Sequence, residues 1–174
     1  MLPEEARIAD HQRRRFNELV DVFDRPQPLE VMARLREIVS SAGLRSGEVV
    51  LDVGTGVGVL IPLIQSYQPA AVLACDVAEK MLQRVQNKYP AVRTFHADIA
   101  LLDLASTSVD AIFMNGMYGN IADKRAACEM RHACFGQVGV LWSARYRVTP
   151  GFEVWDHIVY GHTRFADWKP WPPE

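Results

Sequence analysis

The sequence predicts an α/β fold built on a doubly wound parallel sheet. Short apolar, β-branched runs recur at 49–53, 71–75, 91–95 and 109–114, as in strands buried on both faces. Segments with apolar residues at helical spacing alternate with these runs, as crossovers between parallel strands require. A glycine-rich turn, Gly54-Thr55-Gly56-Val57-Gly58, follows the first run, and such folds gather ligands at the carboxyl ends of strands.

Composition narrows the class. The 174 residues suit one domain with a sizeable core. Nearly half are apolar, and the formal charge of −2 gives no general attraction to nucleic acid or anionic membrane. Cys75, Cys128 and Cys134 are odd in number and lack metal-ligand spacing, so a reducing cytoplasm is the simplest setting. The charged start Met-Leu-Pro-Glu-Glu-Ala-Arg reads as no signal peptide. No apolar run approaches membrane-spanning length.

Residues 4–23 read as one helix with Phe16, Leu19, Val20 and Phe23 on its apolar stripe and Arg13, Arg14 and Arg15 beside it. Asp24-Arg25-Pro26-Gln27-Pro28 breaks it. Pro28 suits the first turn of a second helix, whose buried face is Val31, Leu35, Ile38, Val39 and Ala42 and whose C-terminal cap is Gly43.

Val49-Val50-Leu51-Asp52-Val53 reads as the first strand. Asp52 is costly beside a buried strand unless something pairs with it. Gly54, Gly56 and Gly58 permit a sharp turn and close approach to a ligand. Val59, Leu60, Leu63 and Ile64 then fall at helical spacing, so the loop opens a helix whose N–H groups attract polar or anionic groups. Pro62 is expected to bend that helix or limit its hydrogen bonding. The dinucleotide fingerprint G-x-G-x-x-G requires a small third residue where Val59 stands.

Ala71–Cys75 reads as the second strand and ends at Asp76, about twenty residues past the glycine loop. A carboxylate there can accept both hydroxyls of a ribose. A helix follows, ending at Tyr89-Pro90, and Ala91–Phe95 reads as the third strand, with His96 at its end and Asp98 just beyond. Leu101–Ser108 is a loop or short turn, Val109–Met114 the fourth strand, and Asn115 opens the loop after it. Ala122–Cys134 reads as a helix and Val138–Trp142 as a further strand.

Asp52-x-Gly54-x-Gly56-x-Gly58 resembles the first motif of the class I S-adenosylmethionine-dependent methyltransferases. Asp76-Val77-Ala78-Glu79-Lys80-Met81 looks like the second, and Asn115-Gly116-Met117-Tyr118 like the fourth. The resemblance covers residues 45–130 well and comes nearest small-molecule enzymes of the ubiquinone and menaquinone type. It implies a Rossmann-like sheet of order 3-2-1-4-5 with helices on both faces and S-adenosyl-L-methionine as cofactor. Asp52, Gly54, Thr55, Gly56 and Gly58 would hold the methionine end and Asp76 the ribose. Val77 would line the adenine pocket, and Met81 would line it or fill core. Asp98 would take the adenine amino group, Ile99 would cover the ring, and Asn115 would bond cofactor, acceptor or its own loop. The N-terminal helices would form a lid.

The implied activity is methyl transfer to a small-molecule acceptor. No residue stands out as a catalytic base, and His157, His162 and Asp167 are too loosely spaced for a metal site. The rivals are a non-catalytic adenosylmethionine-binding relative and an NAD(P)-dependent oxidoreductase, which Val59 argues against.

After residue 130 the resemblance fails. The family's Leu-x-Pro-Gly-Gly turn is absent from Ala133-Cys134-Phe135-Gly136-Gln137-Val138-Gly139. Reading the allowed codons of Met130–Ala144 from their third base permits A-x-R-L-L-R-P-G-G-R-x-V-V-S, which restores it. The chain is therefore expected to leave its ancestral frame between Lys124 and Met130. The organisation is 1–44 N-terminal helices, 45–142 core, and 143–174 an atypical, frame-shifted segment in which late strands are missing or unusual.

Overall fold

A computed structural model of the chain describes residues 3–102, 104–105, 108–117, 120–121, 139–145 and 156–161. Strands β1 (Val49–Val53), β2 (Ala71–Asp76), β3 (Arg93–His96), β4 (Ala111–Asn115), β5 (Gly139–Arg145) and β6 (Asp156–Gly161) form one sheet. Their order is β3-β2-β1-β4-β5-β6. The first five run parallel, and β6 returns antiparallel along β5. This is the Rossmann-like order 3-2-1-4-5 expected from the resemblance. The segment read as lacking regular late strands supplies one more, at the edge.

Strand β1 lies between β2 and β4, with Asp52 in register with Ala74 and Phe113. Successive side chains of a strand point to opposite faces, and both faces are covered here. Val50 packs with Leu35, Ile38 and Val39 of helix α3 (Leu29–Ser41) on one face. Leu51 and Val53 pack with Ile99, Ile112 and Met114 on the other. Asp52 therefore projects toward the α3 side of the sheet.

The N-terminal stretch is two helices, not one: α1 (Pro3–Glu18) and α2 (Val20–Phe23), broken at Leu19. The break seats Val20 beside Val57, Ala78 and Met81. Pro28 stands at the N-cap of α3, one position before the first turn that the sequence suggests, and Gly43 follows the helix at φ +63° as expected.

Helix α4 (Ile61–Gln65) has only five residues, with Pro62 in its first turn. Pro62 thus starts the helix instead of bending it. The glycine loop does not open directly into a helix, because turns fill 56–60. The strong helix-terminal attraction expected of the loop is therefore absent. Helix α5 (Glu79–Lys88) follows β2. A 3₁₀ turn (Ile99–Leu101) leads into the stretch read as loop and shares only Leu101 with it. The expected helix at 122–134 lies outside the described residues.

Candidate functional site

A cavity of about 310 Å³ opens at the carboxyl ends of β1, β2 and β4, beneath the N-terminal helices. That volume is at the lower end for small-molecule sites.

Two carboxylates anchor its floor. Asp52 is 2% exposed and accepts a hydrogen bond from Thr55 Oγ1 at 2.7 Å. Burial pushes its pKa up to about 7; the Thr55 hydroxyl works against this and the nearby Asp76 carboxyl adds to it. Asp76 is also buried. Its Oδ2 accepts the Gly56 N–H at 2.8 Å and its Oδ1 the Ala78 N–H at 2.8 Å. Burial raises the pKa of Asp76, and the backbone N–H groups of Ala78, Gly56 and Val77 oppose the rise. The Gly56 and Ala78 N–H bonds use two of the roughly four lone-pair sites of a carboxylate. The Asp76 carboxylate therefore keeps capacity for further donors such as ribose hydroxyls.

The glycines divide by role. Gly56 has φ +55°, and an added Cβ would meet no atom within 4 Å. It lines the cavity, so its bare backbone faces ligand space. Gly54 also lines the cavity, but a Cβ there would lie 2.8 Å from Met117 Sδ. Gly58 does not line it. A Cβ on Gly58 would lie 2.7 Å from Ile61 Cδ1 and 3.1 Å from Tyr89 Cε2, so this glycine serves packing under the loop.

The remaining expected positions converge. Val77, Met81, Asp98, Ile99 and Asn115 all line the cavity together with Thr55. Met81 and Ile99 are also core residues, 1% and 4% exposed. Asp98 caps the 3₁₀ turn, its Oδ1 accepting the Ala100 N–H at 2.9 Å. His96 stands outside the cavity, its Nε2 3.0 Å from Val77 O. Cys75 donates to Ala97 O at 3.3 Å, and burial holds its thiol up at about 12.

The opposite wall comes from the N-terminal helices and α3; the sequence reading expected a lid from the N-terminal helices but named none of its lining residues. Gln12, Phe16, Phe23, Gln27, Val31 and Leu35 supply it. Phe16 and Phe23 meet edge to face at 5.9 Å. Gln12 Oε1 is buried with no hydrogen-bond partner among the described residues, a state that costs about 1–3 kcal/mol unless a donor arrives. The wall is fastened to α5. Asn17 Oδ1 accepts the Lys80 N–H at 2.9 Å. Arg84 pairs with Asp21 at 2.6 Å, and Lys88 pairs with Asp24.

Residues 50–134 match the family model described as a methyltransferase domain. The match and the fold support a place among the class I S-adenosylmethionine-dependent methyltransferases. Curated relatives of this chain include an uncharacterised methyltransferase-like protein of Schizosaccharomyces pombe, 25% identical over 70% of this chain and 50% of the relative. Another is the malonyl-[acyl-carrier protein] O-methyltransferase of Xylella fastidiosa, 34% identical over 60% of this chain and 38% of the relative. The chain spans half or less of the length of these relatives. Among solved structures, an S-adenosylmethionine-dependent methyltransferase from Aquifex aeolicus superposes with a TM-score of 0.63 at 20% identity, over 79% of this chain and 77% of that one. That likeness bears on fold alone.

The cavity suits the cofactor of that family. Its buried carboxylates would face the ammonium and sulfonium of such a ligand, and Gly56 leaves open the space a side chain would fill. No described residue lining the cavity is Lys, Arg or His. No group of described residues could hold a metal ion, and no described helix is long and apolar enough to cross a membrane.

Proposed function

We propose that the chain transfers a methyl group from S-adenosylmethionine to a small-molecule acceptor. The observation that carries this is the pairing of the Gly56 N–H with Asp76 Oδ2, which locks the glycine loop to the end of β2 at the cavity mouth. We assign the methionine end to Asp52, Gly54, Thr55 and Gly56, and the ribose hydroxyls to Asp76. Val77, Met81, Asp98 and Ile99 flank the adenine, and Asn115 faces the junction of cofactor and acceptor. Gly58 supports the loop from below.

The bound cofactor supplies an electrophilic methyl on a positively charged sulfur. The protein's part is alignment, which supplies most of the rate of such a displacement. Around the cofactor the buried carboxylates would balance its positive charge, the N-terminal wall would exclude water, and the cavity would align the acceptor with the methyl. A base is needed only where the acceptor must shed a proton. Cys75 is no such base, since its thiol stays protonated.

The acceptor named for the Xylella relative is a malonyl group on a carrier protein, and a carboxyl oxygen is one acceptor class to try here. We also place the protein in the cytoplasm, which the buried free thiol of Cys75 supports. Calorimetric titration with adenosylmethionine, adenosylhomocysteine and NAD tests the reading. Binding of the first two and not the third is expected. Binding of NAD alone would favour the oxidoreductase, and adenosylmethionine binding without turnover over an acceptor panel would favour the non-catalytic relative.

A further inference from the structure

The two buried carboxyl groups of the cavity have unlike partners. Asp76 is held by N–H groups, Gly56 N–H on Oδ2 and Ala78 N–H on Oδ1, both at 2.8 Å. An N–H group donates and cannot accept, so both oxygens of Asp76 are set for the ionised form. Asp52 Oδ2 instead has Thr55 Oγ1 at 2.7 Å. A hydroxyl donates to a carboxylate and equally accepts from a carboxylic acid. The Asp52–Thr55 bond therefore survives in either protonation state, whereas a proton on Asp76 would have to share an oxygen with an N–H donor.

The surroundings favour a proton on Asp52 while the cavity holds no cation. Asp52 is 2% exposed. Among the described residues, the titratable groups facing it are Asp76 and Cys75 of β2 and Asp98 of the turn after β3, with His96 acting on Asp76 from outside the cavity. The described lining residues from the other elements carry no ionisable group. A second ionised carboxyl beside Asp76 would thus lack a balancing cation, and burial accordingly holds the pKa of Asp52 up at about 7.

Adenosylmethionine and adenosylhomocysteine differ by one methyl group and one positive charge. A cavity of about 310 Å³ leaves little distance between a sulfonium and the carboxyls of its wall. An opposite charge within about 4–6 Å favours the ionised form of a carboxyl. A neutral thioether does not.

Resting on the methyltransferase reading, we propose that Asp52 is a charge-coupled proton site, which loses its proton when adenosylmethionine brings a sulfonium into the cavity and regains it once methyl transfer leaves a neutral thioether. On binding, the Asp52 O–H breaks, its electron pair stays on the carboxylate and the proton passes to solvent. After transfer the C–S electron pair is back on sulfur, the positive charge has passed to the acceptor, and Asp52 takes a proton from solvent. Nothing is oxidised or reduced. Asp52 thereby favours the charged cofactor over the spent one near neutral pH and loses that preference in acid.

Calorimetric titration of the full chain at about pH 6.5, in phosphate and in ACES, counts the protons released. Adenosylmethionine should release about half a proton or more beyond adenosylhomocysteine. Sinefungin, which carries an ammonium where the sulfonium stands, should match adenosylmethionine. From about pH 5.5 to about pH 7 the affinity ratio should move toward adenosylmethionine by about fivefold or more. Asp52→Asn keeps a side-chain oxygen for Thr55, and in it the extra proton and the pH-dependent ratio should both vanish. Equal proton release by the two ligands, or a difference that persists in Asp52→Asn, overturns the proposal and leaves the methyltransferase reading intact. Sinefungin behaving like adenosylhomocysteine also overturns it, by tying the effect to the methyl group and not to charge. If Asp52→Asn does not fold, the wild-type proton counts decide alone. Failure of the wild type to bind either adenosyl ligand overturns the methyltransferase reading first, and this proposal with it.

Discussion

The Gly56 N–H donates to Asp76 Oδ2 at 2.8 Å, across the carboxyl ends of two neighbouring strands. One side chain thus shapes the loop after β1 and the turn after β2 together. Asp76→Ala removes the acceptor from buried N–H groups, each costing about 1–3 kcal/mol when left unpaired. The variant should be destabilised by at least about 2 kcal/mol and lose adenosylhomocysteine affinity more than tenfold. Urea unfolding and calorimetry measure the two effects. Affinity retained in the folded fraction would mean that Asp76 shapes the fold without touching ligand.

Gly56 and Gly58 should separate binding from stability. Gly56→Val places a side chain in open cavity space at φ +55°. Adenosylhomocysteine binding should vanish while unfolding free energy falls by about 1–2 kcal/mol, the cost of a left-handed L-residue. Gly58→Ala meets Ile61 and Tyr89 instead. It should lower the melting temperature and leave ligand affinity of the folded protein unchanged. Equal losses of affinity in both variants would contradict the division.

Asp52 sets a pH dependence. Its folded pKa of about 7 lies above the ordinary aspartate value of 3.8. The folded state therefore holds the proton that the unfolded state has already lost across that window. Ligand-free stability should fall as pH rises from about 4 to about 7 and level off above. Asp52→Asn keeps an oxygen for Thr55 and removes the titration, so this part of the slope should disappear. Thermal unfolding at pH 5 and pH 8 checks it; a slope unchanged in the variant would assign the effect elsewhere.

The ion pairs that fasten the N-terminal wall are partly exposed, with Arg84 and Lys88 side chains 42% and 41% accessible. Such pairs contribute about 1 kcal/mol or less. Asp24→Ala should leave global stability nearly unchanged and yet speed proteolysis between α1 and α3. Bound ligand should restore protection, because it adds contacts under the same wall. Cleavage at the wild-type rate would show that apolar packing alone holds the helices.

The altered reading frame has a direct check. The coding DNA over Lys124–Ala144 should spell Arg-Pro-Gly-Gly when read from the third codon position. If it does not, the departure after residue 130 is native to the chain.

Legibility in the sequence followed the chemistry. Asp52 and Asp76 could be placed because a carboxylate ending an apolar run has few alternatives to a strand end. The strand order came from the family resemblance. The role of Gly58 was not legible, since packing against Tyr89 and approach to a ligand both require glycine. Helix α1 showed a basic face and an apolar stripe, but which face the cavity borrows depends on docking against α5, over 60 residues away in sequence. Gln12 and Gln27 carry no periodic signal at all.

Asn17 caps a helix that is not its own, accepting the Lys80 N–H where Ala78 offers no side-chain acceptor. The nearby ion-pair partners, Arg84 and Lys88, also lie far downstream. Helix α1 is therefore synthesised well before the surface that holds it. Until Lys88 has cleared the ribosomal exit tunnel, α1 has nothing to hold it, and Phe16 and Val20 have no surface to cover. Ribosome-bound chains halted before that point should remain open to protease within residues 3–23, whereas longer ones should resist.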